Sequence, residues 1–154
     1  AVHQFENALQ KQNLAYQKLI VKPTALNCIL WNANVATVKG YYLADYSFFD
    51  SQPIRFRFYA KNHDFEGKLT NSPDFHRLQN ISEGWYLVTE QNNRIYFNDL
   101  RFGLLNDLPE NPQFAFSYQM IPMSDGIYWA EETPKAKRDG KALLQKIFTR
   151  IKGN

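Results

Sequence analysis

The sequence holds one cysteine, Cys28, in 154 residues. An internal disulfide is therefore excluded, and a thiolate metal cluster lacks ligands. Histidine is scarce as well. His3, His63 and His76 lie far apart and form no His-x-x-x-His, His-Glu-x-x-His or Cys/His spacing, so the usual zinc signatures are missing. Seven glycines form neither a phosphate-cradling loop nor a Gly-x-Ser-x-Gly elbow. No apolar run approaches the ~20 residues that a membrane-crossing helix needs. The opening Ala-Val-His-Gln-Phe-Glu has no basic or apolar region of the kind a signal peptide carries, and the missing initiator Met suggests an excised piece or a mature product.

Aromatic residues are abundant. Twelve Phe, nine Tyr and three Trp make up 16% of the chain, and 44% of all residues are hydrophobic. That is too much apolar area for a disordered chain, and the length suits one core, so residues 1–154 read as a single soluble domain. The net charge of +3 is unevenly spread. Residues 135–152 carry seven Lys/Arg against Asp139, a net +6, whereas the remainder has eleven basic and fourteen acidic residues, a net −3. A basic segment of this kind reads first as a solvated helix face and second as a neighbour of an anionic membrane surface. Nucleic acid is not expected, because the rest of the chain lacks a matching basic stripe.

The hydrophobic pattern gives an α+β fold, with a mainly antiparallel sheet built from hairpins and with N-terminal, middle and C-terminal helices. Val2, Phe5, Ala8 and Leu9 predict a helix over 2–12. Strands are predicted over 16–21, 26–38, 41–49, 54–60, 85–90, 94–102, 114–121 and 127–130. Asn92-Asn93 and Ser124-Asp125-Gly126 are hairpin turns on this reading. Residues 62–72 read as a polar loop, Ser72-Pro73-Asp74 as a helix start, and 139–152 as an amphipathic helix. Cys28, within the apolar 26–38 segment, is expected to be a buried thiol.

The chemistry concentrates in Ile95-Tyr-Phe-Asn-Asp-Leu-Arg-Phe-Gly-Leu-Leu105, where Asn98, Asp99 and Arg101 interrupt an apolar strand. Buried charges need partners. The segment Pro53-Ile-Arg-Phe-Arg-Phe-Tyr-Ala-Lys-Asn-His-Asp64 offers them: if its strand neighbours 94–102, Arg55 or Arg57 meets Asp99 across the sheet. The candidate ligand-binding set is therefore Arg55, Arg57, Tyr59, Asn98, Asp99 and Arg101, with His63 as an outer member. Its ligand would be a small anion held by guanidinium groups. No residue is assigned a catalytic or metal-binding role. An acid/base pair of Asp99 and His63 and a purely structural oligomerisation domain are the rival readings.

Several segments resemble one family. They are Thr24-Ala-Leu-Asn-Cys-Ile-Leu-Trp31, Gly40-Tyr-Tyr, Tyr46-Ser-Phe-Phe-Asp50, Pro53-Ile-Arg-Phe, Lys61-Asn-His63, Gly84-Trp-Tyr86 and Phe97-Asn-Asp-Leu-Arg-Phe-Gly103. From about Tyr16 to Lys152 the chain resembles the soluble C-terminal region of the bacterial membrane-bound, metal-dependent hydrolases of the inner membrane. The resemblance implies an accessory domain, for substrate binding or regulation, that is itself not catalytic. Its partner would be the membrane-embedded portion of the same polypeptide, with the cytoplasmic side weakly favoured by the basic segment. A divalent metal is implied only for that membrane portion, so no ligand carries over to a position in this chain and no cofactor is expected here.

Overall fold

The computed structural model describes residues 1–24, 27–105, 112–134 and 140–154. In chain order the elements are α1 (Val2–Lys11), β1 (Lys18–Pro23), β2 (Leu30–Ala36), β3 (Gly40–Ser47), β4 (Arg57–Ala60), α2 (His63–Leu69), α3 (Pro73–Ile81), β5 (Tyr86–Gln91), β6 (Arg94–Leu104), β7 (Phe114–Pro122), β8 (Tyr128–Glu132) and α4 (Gly140–Ile151). The strands make two four-stranded sheets, ordered β1-β2-β3-β4 and β5-β6-β7-β8, every pair antiparallel. The fold is α+β, with helices at the start, middle and end. The chain divides into two compact units, Ala1–Ala60 with Lys135–Asn154, and Lys61–Pro134. No helix of the described residues is long and apolar enough to cross a membrane.

In the first unit, α1 lies on one face of its sheet. Strand alternation puts Leu19, Val21, Trp31, Ala33, Ala44 and Tyr46 on that face, with Phe5 of α1 fully buried against them. The cross-strand pair Ala33 and Ala44 leaves room for the Phe5 ring, which meets Tyr46 edge-on at 6.0 Å. Gly40 opens β3 where the chain passes so close to Tyr59 that a side chain would strike the Tyr59 carbonyl. The opposite face carries Asp45, Ser47 and Arg57, and the last turn of α4 fastens there: Ser47 Oγ donates to the Ile151 carbonyl at 2.5 Å.

In the second unit the helices cover one face of β5–β8. Phe75 and Leu78 of α3 and Leu69 of α2 pack on Val88, Ile95, Phe97 and Met120. Tyr86 stacks on Phe97 at 4.8 Å and Phe75 meets both rings edge-on. The N-terminus of α3 ties down the outer strand, because Ser72 Oγ accepts from the Tyr128 amide and Asp74 accepts from the Ala130 amide. The Asn92-Asn93 turn has φ of 52° and 60°, the left-handed geometry that asparagine tolerates.

Three expectations change. Residues 63–69 are a helix and not loop: Asn62 caps the Phe65 amide, Asp64 and Glu66 occupy the first turn, and Phe65 and Leu69 share its apolar side. Strand 54–60 shortens to 57–60, and it pairs with β3 alone. Cys28 is exposed, because Asn27 Oδ1 accepts from the Ile29 and Leu30 amides and makes 27–29 a turn ahead of β2. Of the helix read over 139–152, Asp139 lies outside the described residues, as does Leu26 of the strand read over 26–38.

Candidate functional site

The charges of β6 sit where its ladder with β7 goes out of step. Asp99 pairs with Phe116, and the next paired residue is Leu104, opposite Phe114. Within this bulge Asp99 and Arg101, two residues apart, reach each other. The Asp99 carboxylate accepts the Arg101 amide at 2.9 Å, Nη2 at 2.8 Å and Nε at 3.1 and 3.3 Å. Glu83 lies 3.4 Å from Nη1. The Asp99 and Arg101 side chains are 7% and 17% exposed, so the pair is mostly shielded from water and self-satisfied. The hydrogen bonds that Arg101 donates to Asp99 outweigh burial and raise the Arg101 pKa above its ordinary value.

Asn98 points to the other side of β6 and is buried. Its amide nitrogen donates to the Leu87 carbonyl and Thr89 Oγ1, each at 2.9 Å, and its oxygen accepts from Ser117 Oγ at 2.8 Å. These bonds knit β5, β6 and β7 together. They use the side chain as a clamp within the sheet.

The other candidates are elsewhere. Arg57 donates to Asp45 at 3.1 Å. β4 and β6 belong to different sheets, so the expected cross-strand pairing of Arg55 or Arg57 with Asp99 is corrected: Asp45 serves Arg57, and Arg101 serves Asp99. Arg55 is exposed, ahead of β4. Tyr59 is buried in that strand. His63 is exposed at the start of α2, and its carboxylate neighbour is Glu66 at 4.0 Å.

Sequence reasoning overlooked the network around Arg150. Its Nε donates to Asp45 at 2.7 Å, while its Nη1 and Nη2 grip Asp50 at 2.5 and 2.6 Å. Asp50 has a side chain 2% exposed and also accepts the Ser47 amide. Burial alone would raise the Asp50 pKa, but these hydrogen bonds and the guanidinium charge hold it below its usual range. The signal was faint: Arg150 stands between Ile147 and Ile151, on the side of α4 that carries its apolar stripe.

A third polar chain runs from α2 to α3. Burial pushes the Glu66 carboxyl up, against the pull of His63 and Lys61. Burial also raises Tyr86, whose hydroxyl accepts from Gln79 Nε2 at 2.8 Å, with the Glu66 charge adding to the rise. Gln79 in turn meets His76 at 3.0 Å. Among the described residues, no three His, Cys, Asp or Glu side chains gather as a metal site requires.

No protein-family model, curated protein or solved structure matches the chain. Asp99, Arg101, Arg57 and Arg150 have their charged atoms engaged by one another or by nearby carboxylates. Glu66 is the one acid among these groups pushed toward the protonated form, which suits proton transfer better than anion binding.

Proposed function

We propose that the chain is an accessory region of a membrane-bound, metal-dependent hydrolase, serving substrate binding or regulation and not catalysing on its own. One observation supports this: the residues that carry the resemblance have architectural work. Asn27 builds the turn before β2, Trp31 Nε1 donates to the Cys28 carbonyl, and Gly40 permits a close backbone crossing. Asp50 holds Arg150, Trp85 and Tyr86 lie in or against the core, and Asp99 closes on Arg101. Residues that determine a fold are what an appended domain retains. In this reading the catalytic metal belongs to the membrane portion of the same polypeptide, and an anionic small ligand remains the candidate substrate group for Arg55.

The test is the reading frame upstream of Ala1. Several apolar segments of ~20 residues bearing His and Asp are expected there. A wholly polar upstream frame would end the proposal. An autonomous hydrolase is the second reading, favoured by the raised carboxyl of Glu66 beside His63. It requires ester or amide hydrolysis by the isolated chain that disappears in Glu66→Gln while the fold persists.

A further inference from the structure

α4 has five apolar residues along one side, Leu143, Leu144, Ile147, Phe148 and Ile151, yet none of them is fully buried. Leu143, Ile147 and Ile151 are half-covered. Leu144 and Phe148 are 45% and 63% exposed. Twelve residues make a helix that is marginal in water unless its apolar side is covered.

Helical spacing decides what surrounds the uncovered pair. At 3.6 residues per turn, Lys141, Leu144, Phe148 and Lys152 succeed one another at intervals of three or four and form a single strip. The apolar pair is thus bracketed by lysines, and both lysines are exposed. Lys146 is exposed on the far side of the helix. Residues 140–154 contain no acidic side chain. The fixed end of the helix keeps the strip in place, because Arg150 and the Ile151 carbonyl hold its last turn to Asp45, Asp50 and Ser47.

We infer that this strip of α4 docks on an anionic lipid bilayer, with Leu144 and Phe148 entering the headgroup boundary and Lys141 and Lys152 lying at the phosphate level. An apolar pair flanked by long cationic side chains is the arrangement of an interfacial helix, since lysine buries its stem while its ammonium stays wet. Charge complementarity selects the anionic surface over a neutral one. The inference stands on α4 itself and does not require an upstream membrane segment.

The full chain is tested by co-sedimentation with phosphatidylcholine vesicles, with and without phosphatidylserine, at low and high salt. Binding is expected only to the phosphatidylserine vesicles, and it weakens as salt rises. Lys141→Gln with Lys152→Gln should weaken it about twenty-five-fold, since each lysine near the surface contributes roughly fivefold. Lys146→Gln should matter less, being about a helix diameter away from the bilayer. Phe148→Ser should weaken it at least about tenfold. Phe148→Trp supplies an independent reading, a blue shift of its emission with phosphatidylserine vesicles alone. Absence of binding, or equal binding to neutral vesicles, overturns the inference. So does a concentration-dependent dimer that Phe148→Ser dissolves, which would give the strip to a second copy of the chain.

Discussion

The two units answer the same architectural problem in different ways. Each must cover a four-stranded antiparallel sheet. The second unit uses rings: Phe75, Tyr86 and Phe97 interlock beneath α3, and its buried ion pair, Asp99 with Arg101, lies within the single strand β6. The first unit places Phe5 on one face, but fastens the end of α4 to the other with Arg150, Asp45, Asp50 and Arg57. Apolar packing tolerates changes of shape, whereas a buried ion pair fails as soon as one member is lost. Volume thus holds α3 to its sheet, and charge holds the end of α4 to the other.

Substitutions can break this contrast. The largest loss is expected for Phe97→Ala, at about 4 kcal/mol, because a fully buried ring leaves a cavity. Amide resonances of residues 61–134 followed through a urea titration should report it. Arg150→Ala should cost about 3 kcal/mol by leaving Asp50 buried without its cation. Its signature is a lower urea midpoint for resonances of residues 1–60 and 140–154. A loss shared equally by both sets of resonances would refute the contrast between the two attachments.

Acid should separate the units by sign. Asp50, held below its unfolded value of 3.8, binds its proton less tightly when folded. Its stabilisation is fully present above 3.8 and is lost as pH falls through the lower folded pKa. Glu66 is raised above 4.5, so the folded form binds its proton more tightly. The second unit therefore gains stability as pH falls through that raised value, and the gain is complete below 4.5. Urea midpoints measured from neutral pH to about pH 3 should rise first in residues 61–134 and then fall in the first unit. Glu66→Gln should abolish the rise.

The smallest effect belongs to Arg55→Ala, within about 0.5 kcal/mol, as expected for an exposed residue. It sharpens the functional side of the comparison. If phosphate raises the melting temperature of the native chain but not of this variant, Arg55 is a ligand contact. If phosphate leaves both unchanged, the anion-binding set loses its exposed arginine.

Much of the architecture was legible because strands advertise a period of two and their turns need particular residues. Asn92-Asn93 and Ser124-Asp125-Gly126 sit where hairpins turn, and Phe5 and Leu9 betray α1. α2 escaped notice because two turns display only Phe65 and Leu69, too few to establish a helical period. The exposed Cys28 was misjudged through reading a strand across a turn that Asn27 makes. Within the candidate site, the Asp99–Arg101 pairing was open to inference, since residues two apart on a strand share a face. The Arg150–Asp50 pairing was not, because one hundred residues separate the partners and nothing local links them.

That separation has a consequence in time. The chain leaves the first unit at Ala60 and rejoins it from Lys135, so the second unit is an insertion in the first. During synthesis, residues 61–134 emerge with all their own sheet partners, while Asp50 waits for a cation made one hundred residues after it. A chain cut short before residue 150 would hold every strand of the second unit and a first unit still lacking its clasp.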